Sequence, residues 1–395
     1  MQKLLIYFPE RKLKPSGGPA GYLYNLYKGL KKINLNEYSL QIDFYNSGSA
    51  TIEENSSLKR KMPRRVLELR RALKDTKLLE KRKAIDKSMY QYDMIHFHWT
   101  EDMYLNRDFL QDYKGKVILT SHSPCVYNVE RIGKLNPFDY KLLRKKIDNL
   151  VEMDRYCFER ADYIIFPCEE AEEPYYHTWN QYKSIRQAKK YHYLPTGIVG
   201  CNSKIKRVEY RKMYNIPEDA FVISYAGRHN EIKGYGDLKK IGHDLIKDKN
   251  VYFLIAGREE PIRGLDDDHW IEVGWTTDPH SLIAASDVFV LPNHETYFDL
   301  ILLEVLSLGV PLVISRTGGN KYFEKYNSKG MKFYNTLEEA KEKIKEFQFM
   351  GIEERMSASQ DLIEIFQKDF TVDVFTGNYV DTICDIANDG VVNDK

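Results

Sequence analysis

The chain has no CxxC pair: its five cysteines, Cys125, Cys157, Cys168, Cys201 and Cys384, are scattered and odd in number among 395 residues. That pattern excludes a disulfide framework and fits reduced thiols in a cytoplasmic protein. Net charge is also lacking. The 59 Lys and Arg balance 58 Asp and Glu, so no overall charge excess points to nucleic acid. No apolar run approaches the roughly 20 residues of a membrane-spanning helix. The opening stretch MQKLLIYFPERKLK has an apolar run of only five residues, too short for a signal peptide. The expectation is a cytoplasmic protein.

What is present is an alternation of short apolar strands with amphipathic helices. Leu4 to Phe8 reads as a buried first strand, broken by KPSGGPAG. Leu23, Leu26, Tyr27 and Leu30 then recur at helical spacing, with Pro19 suited to the first helical position. LQIDFY, MIHFHW, VILTSH and YIIFP continue the strand series. A second series follows residue 200: FVISYAG, VYFLIAG, WIEVGW, VFVLP and PLVIS. Alternation of this kind predicts α/β architecture with parallel sheets. Length predicts two domains, placed at 1–200 and 201–370, with a C-terminal helix and tail over 371–395.

Ligands of such folds bind at the C-terminal ends of the strands. The loop GRHNEIKGYGDL (Gly227 to Leu238) leaves a strand and enters a helix near Tyr235. Its Arg228 and Lys233 suit a diphosphate, the one as a forked donor and the other as a point charge. The alternative is an exposed loop with ordinary charges. HETYFDLILLEVLSLGVPL (His294 to Leu312) places Glu304 inside an otherwise apolar helix expected to start near Phe298. A carboxylate there either accepts hydrogen bonds from two neighbouring hydroxyls, as a ribose presents, or pairs with a basic side chain; alone, it would be costly.

These segments, in this order and spacing, resemble the retaining glycosyltransferases of the group 1 type, family 4, which have the GT-B fold. The resemblance covers nearly the whole chain. It is carried by YAGRHNEIKG, IAGREE, ASDVFVLPNHETYFDLILLEVLSLGVPLVIS and TGG, and more loosely by SGGPAGYLYNL, IHFHW and LTSHSP. It implies two Rossmann-like domains with an interdomain cleft, an acceptor-side N-terminal domain and a C-terminal domain that binds the nucleotide sugar. It implies that Glu304 holds the donor ribose, and that Arg228 and Lys233 hold the diphosphate and stabilise the leaving group. The Gly17–Gly18 loop would approach the donor phosphates, and His122 would lie near the transferred sugar. Gly274 and Trp275 would lie at the nucleobase, and Phe298, Asp299 and Leu300 would face the phosphates or sugar. The donor would be UDP- or GDP-linked, with no cofactor and no catalytic metal.

Two positions depart from the family pattern. The first acidic residue of its paired-Glu motif falls on Thr296, and Asp299 stands where a small residue is common. Taken over its whole length, the resemblance implies a hexosyl-type transferase acting with retention on a glycan, lipid-linked or protein acceptor in surface polysaccharide or glycoconjugate synthesis. Two alternatives are a non-catalytic GT-B partner subunit, which Thr296 motivates, and a GT-B sugar-nucleotide epimerase. His96 and His98 share a strand face, but no neighbouring Cys or third His in the sequence completes a metal site.

Residues 57–89 form a basic helical insertion. From Leu58 to Met89 there are thirteen Lys or Arg against four acidic residues, with Leu67, Leu73, Leu78, Leu79 and Ile85 interspersed. This reads either as a solvated helical hairpin or as a face for peripheral contact with anionic lipid at the inner surface of the membrane, or with a phosphate-bearing acceptor.

Overall fold

The computed structural model describes residues 1–9, 13, 18–45, 63–123, 125–259 and 262–389. Gly17 and residues 57–62 of the basic insertion lie outside that set. The chain divides into two compact units. One comprises Met1–Pro167, Glu172–Leu194 and Thr376–Lys395; the other comprises Cys168–Ala171 and Pro195–Phe375. The long segment of the second unit begins at Pro195, and helix Val372–Asn388 starts in it and continues into the first unit.

The first unit is built on a six-stranded parallel sheet of β1 (Gln2–Tyr7), β2 (Leu40–Phe44), β3 (Met94–Phe97), β4 (Lys116–Leu119), β5 (Tyr163–Phe166) and β6 (Lys190–Tyr193). Their spatial order is β2-β1-β3-β4-β5-β6. The inner strands are buried on both faces, which is why they read as continuous apolar runs rather than alternating ones. Pro19 stands in the first turn of helix Pro19–Leu30, as expected, and Gly18 caps it at φ 75° and ψ −162°, a conformation open essentially to glycine.

The second unit repeats the plan with β7 (Phe221–Ala226), β8 (Val251–Ala256), β9 (Trp270–Gly274), β10 (Val288–Leu291), β11 (Leu312–Ser315) and β12 (Met331–Tyr334). The order β12-β11-β10-β7-β8-β9 puts a topological switch point between β7 and β10. Edge strands β6 and β12 were not expected from the sequence. KYHY is exposed or half-buried throughout and MKFY is half-buried at its centre, so neither carries an apolar run.

The basic insertion contains helix Arg64–Asp75. Ala72 and Leu69 pack inward against Leu143 and Ile147 of helix Pro137–Asp148. Several of its cations are matched within the same unit: Arg65 with Asp139 at 3.0 Å, Arg71 with Glu68 at 2.6 Å and Arg82 with Asp108 at 3.0 Å. Leu78 is buried, and Leu73 and Ile85 are exposed. Among the described residues no helix is long and apolar enough to cross a membrane.

Candidate active site

In the second unit the singled-out residues gather on the loops that follow the strands, at one edge of the sheet. Arg228 and Lys233 follow β7, Trp275 follows β9, Thr296 and Asp299 follow β10, and the Gly318–Gly319 pair follows β11. The β7 loop is drawn against the end of β10 at Gly234. Its φ is 62°, and a Cβ there would stand 1.6 Å from the Pro292 carbonyl oxygen, so only glycine allows this approach. Gly318 and Gly319 support the β10 loop in the same way. A Cβ on either would meet the Thr296 or Tyr297 carbonyl oxygen at 2.2 or 2.0 Å.

That approach brings Lys233 to Asp299. The ammonium lies 2.7 Å from each carboxylate oxygen, and both side chains are about a fifth exposed. Asn293 donates a further hydrogen bond to the same carboxylate. Burial alone would push Asp299 up. The charge and hydrogen bonds of Lys233, aided by Asn293 and Thr296, outweigh it and hold Asp299 below the usual carboxylate range. Asp299 is therefore a fixed anion that clamps a cation. The sequence expected Lys233 to converge with Arg228 on a ligand and did not anticipate this internal partner. Two of the three ammonium protons are engaged by Asp299, leaving one to offer elsewhere. Arg228 is exposed, and among the described residues its guanidinium has no ion-pair partner; its backbone carbonyl accepts from the Tyr225 hydroxyl at 2.9 Å.

Helix Leu300–Leu308 starts two residues later than expected, with Asp299 at its N-cap. The Asp299 side chain is turned to Lys233 and does not cap the helix. The Phe298 ring is buried against Tyr322 and Phe323, which anchors the loop and leaves only its backbone to face a ligand. Thr296 is buried.

Glu304 sits on this helix, a quarter exposed, and is not an orphaned charge. His280 Nε2 lies 3.0 Å from one of its oxygens. Of the two readings open at the sequence level, pairing with a basic side chain is realised; the partial exposure leaves the carboxylate able to accept further hydrogen bonds. His280 comes from helix Pro279–Ala284, and Cys201 lies beside the pair, an arrangement with no signature in the sequence. Hydrogen bonds to Cys201 and Glu304 push His280 up to about 10. Gly274 turns at φ 76°, and the Trp275 ring beyond it is 64% exposed with the Arg258 guanidinium 5.8 Å from its centre.

In the first unit, Gly18 follows β1 and His122 follows β4, again past strand C-terminal ends. His122 adopts φ 54°, a left-handed conformation uncommon for a side chain of its size. Its Nε2 lies 3.0 Å from Nδ1 of His98, and Tyr22 packs edge-on against its ring at 4.7 Å. Dense packing lowers His122 to about 3, so it is a neutral imidazole. His98 in turn lies against His96, whose two nitrogens are occupied by Tyr379 and Thr120, each at 2.9 Å. The third histidine absent from the local sequence is thus His122; both nitrogens of His96 are taken by hydroxyls and His98 Nδ1 by His122, and the buried His98 Nε2 has no hydrogen-bond partner among the described residues.

The fold has counterparts among known proteins. Residues 220–347 match the family described as Glycosyl transferases group 1. Over these residues the chain is similar to the group 1 glycosyltransferases. The O-antigen biosynthesis glycosyltransferase WclY of Escherichia coli is 25% identical over 123 residues, covering 28% of this chain and 33% of that protein. The capsular polysaccharide biosynthesis glycosyltransferase CapM of Staphylococcus aureus is 28% identical over 128 residues, 30% of this chain and 33% of that protein. The matches thus span a third of the length of these curated relatives. Among solved structures, sucrose-phosphate synthase from Thermosynechococcus elongatus has a TM-score of 0.64 at 15% identity, covering 98% of this chain and 99% of that one. HepE from Anabaena, solved in complex with UDP-glucose, has a TM-score of 0.60 at 13% identity, covering 98% and 100%. At these identities the likeness shows the fold, which is GT-B.

Proposed function

We propose that the protein is a glycosyltransferase that moves a sugar from a nucleotide-diphosphate donor to an acceptor hydroxyl, with retention of configuration, in the assembly of a surface polysaccharide. The observation that carries this reading is the cation at the β7–β10 switch point. Lys233 is held there by Asp299, and the exposed Arg228 lies on the same loop. A departing diphosphate needs positive charge that is already in place. Asp299 supplies the placement: with two of its protons held, Lys233 keeps one orientation and directs the remaining one outward. Arg228 adds a forked donor that costs the fold nothing to leave open.

Support for a nucleotide sugar as the donor comes from HepE, solved with UDP and with UDP-glucose, and from the trehalose-6-phosphate structure solved with UDP-2-fluoro glucose. Support for the polysaccharide setting comes from WclY and CapM. In this reading Glu304 accepts from the ribose hydroxyls, Trp275 and Gly274 border the base, and the backbone of Phe298 to Leu300 faces phosphate or sugar. Gly18 approaches the donor phosphates and His122 lies near the transferred sugar, where, kept neutral, it offers a hydrogen bond without adding charge; the acceptor enters past both. The acceptor is a glycan, lipid-linked or protein hydroxyl.

Thr296, buried where the family pattern has a carboxylate, favours a second reading: a GT-B subunit that binds a nucleotide sugar without turning it over. Thermal-shift screening of UDP- and GDP-sugars, followed by hydrolysis assays on each stabilising donor, separates the two. Slow release of free sugar supports the transferase. Stabilisation without hydrolysis or transfer to any acceptor supports the binding subunit, and no stabilisation by any nucleotide sugar refutes both.

A further inference from the structure

Three chemically distinct donors meet in the second unit. The Cys201 sulfur, an imidazole nitrogen of His280 and a carboxylate oxygen of Glu304 all lie within 4.8 Å of one another. The three side chains come from separate elements: the loop after Ile198, helix Pro279–Ala284 and helix Leu300–Leu308. None of them drew attention as a set, because 79 and 24 positions separate them along the chain.

The backbone fixes this meeting point. The Cys201 N–H donates to Ser307 Oγ at 3.1 Å, and that hydroxyl donates to the Glu304 carbonyl at 2.9 Å, tying the cysteine loop to the glutamate helix. Ser281 Oγ accepts from the N–H groups of Lys204 and Ile205 at 2.9 and 3.0 Å and donates to Asp278 at 2.7 Å, tying the same loop to the histidine helix. Asp278 also accepts from the Ser281 N–H at 3.3 Å, capping the helix that carries His280. Cys201 is therefore delivered to the His–Glu pair by two separate anchors, although the pair has no need of a thiol for its own hydrogen bond.

We propose that Cys201, His280 and Glu304 form a binding site for a divalent transition ion of the Zn²⁺ class. Tetrahedral zinc holds sulfur, nitrogen and oxygen at about 2.0–2.3 Å, which sets its ligands roughly 3.3–3.8 Å apart. The observed donors, within 4.8 Å of one another, stand up to about 1 Å beyond that spacing. Sulfur and imidazole donors select zinc, cobalt and nickel over magnesium and calcium. With three protein ligands the fourth position is open to water, and the partial exposure of His280 and Glu304 provides the way in. Binding releases two protons to solvent, the Cys201 thiol proton and the His280 imidazolium proton held by Glu304. The ion would also take the Glu304 carboxylate that the donor ribose is proposed to use, so ion and nucleotide would exclude each other. The ion site itself does not depend on that ribose assignment.

Cobalt titration tests the proposal. The full chain is stripped with EDTA, exchanged into chelator-free buffer with a phosphine reductant, and titrated with Co²⁺. The expected result is a near-ultraviolet thiolate-to-cobalt charge-transfer band that saturates at one equivalent and is displaced by Zn²⁺. Cys201→Ser should abolish the band, His280→Gln should weaken binding at least tenfold, and Cys384→Ser should leave it intact, each with an unchanged far-ultraviolet circular dichroism spectrum. No saturable band in the wild-type chain, or a band that survives both Cys201→Ser and Cys201→Ala, would overturn the site. Added UDP should lower cobalt occupancy. A band indifferent to saturating UDP would leave the ion site standing and remove Glu304 from the ribose. Absence of the band together with UDP affinity that depends on Glu304 would do the reverse.

Discussion

Lys233 and Asp299, 66 positions apart, form a two-point ion pair in which the ammonium is 2.7 Å from both carboxylate oxygens. The pair joins the two loops that flank the switch point, so it governs both the shape of the site and its charge. Asp299→Ala should leave Lys233 partly buried without a counter-charge. The expected cost is roughly 1–3 kcal/mol, between exposed and fully buried pairs, read by urea denaturation. The pH dependence has a definite sign. Asp299 is held low in the folded protein, so its contribution is complete above the ordinary aspartate value of about 3.9 and fades as pH falls through the folded value. The stability gap between wild type and Asp299→Asn should therefore be full at pH 7 and should shrink below about pH 4.

Arg228 separates chemistry from folding. Its guanidinium is exposed and makes no ion pair among the described residues, so Arg228→Ala should change stability by no more than about 0.5 kcal/mol. If it stabilises the leaving diphosphate, turnover should fall at least tenfold, corresponding to about 1.4 kcal/mol of lost transition-state stabilisation. Turnover should also survive EDTA, because Arg228 and Lys233 supply the charge a metal would otherwise bring. Activity lost to EDTA and restored by Mg²⁺ or Mn²⁺ would show that assignment to be wrong.

Glu304→Ala should weaken nucleotide binding by roughly 1.5–3 kcal/mol, the usual loss for hydrogen bonds to a charged acceptor. Calorimetry with UDP and GDP reads it directly. Glu304→Gln should lose less, since an amide oxygen still accepts from one hydroxyl. Equal affinities for all three proteins would take the ribose away from this helix.

For the basic insertion, inward packing of Ala72 and Leu69 and the ion pairs of Arg65, Arg71 and Arg82 leave less free charge than the sequence count implies. Contact with anionic lipid, if it occurs here, should depend on the exposed Arg70, Lys77, Lys81 and Lys87. Each would contribute about 1 kcal/mol near an anionic surface and would be screened by salt. Changing all four to Gln should abolish salt-sensitive sedimentation with phosphatidylserine vesicles and leave donor hydrolysis unchanged. Equal sedimentation with neutral and anionic vesicles would identify this segment as a solvated helix.

The strands buried on both faces were readable because burial demands continuous apolar runs, as in FVISYA and VYFLIA. The edge strands KYHY and MKFY were not, because an edge exposes side chains and dilutes the pattern. Loops after strand ends could be located, and Arg228, Lys233 and Glu304 fall on the loop and helix expected of them. Their partners were illegible for a different reason. Asp299, His280 and Cys201 reach Lys233 and Glu304 only through the packing of separate elements, which no local spacing encodes. His122 joins His98 in the same way, across neighbouring parallel strands 24 positions apart.

The terminal helix bears on how the protein is made. Buried His96 of the first sheet finds its hydroxyl partner on Tyr379, and Lys116 of β4 donates to the carbonyls of Ile386, Ala387 and Asp389 at 2.6, 2.8 and 2.7 Å. Tyr163 of β5 reaches Asp389 at 2.7 Å. Three side chains of the first unit's sheet therefore lack these partners until residues 376–389 have left the ribosome, whereas residues 195–375 are by then complete. Vectorial synthesis ordinarily lets the leading domain fold first. Here the order is inverted: the trailing domain can close while the leading one waits, with β3, β4 and β5 still lacking their last partners, for a helix encoded almost 200 codons after its own strands.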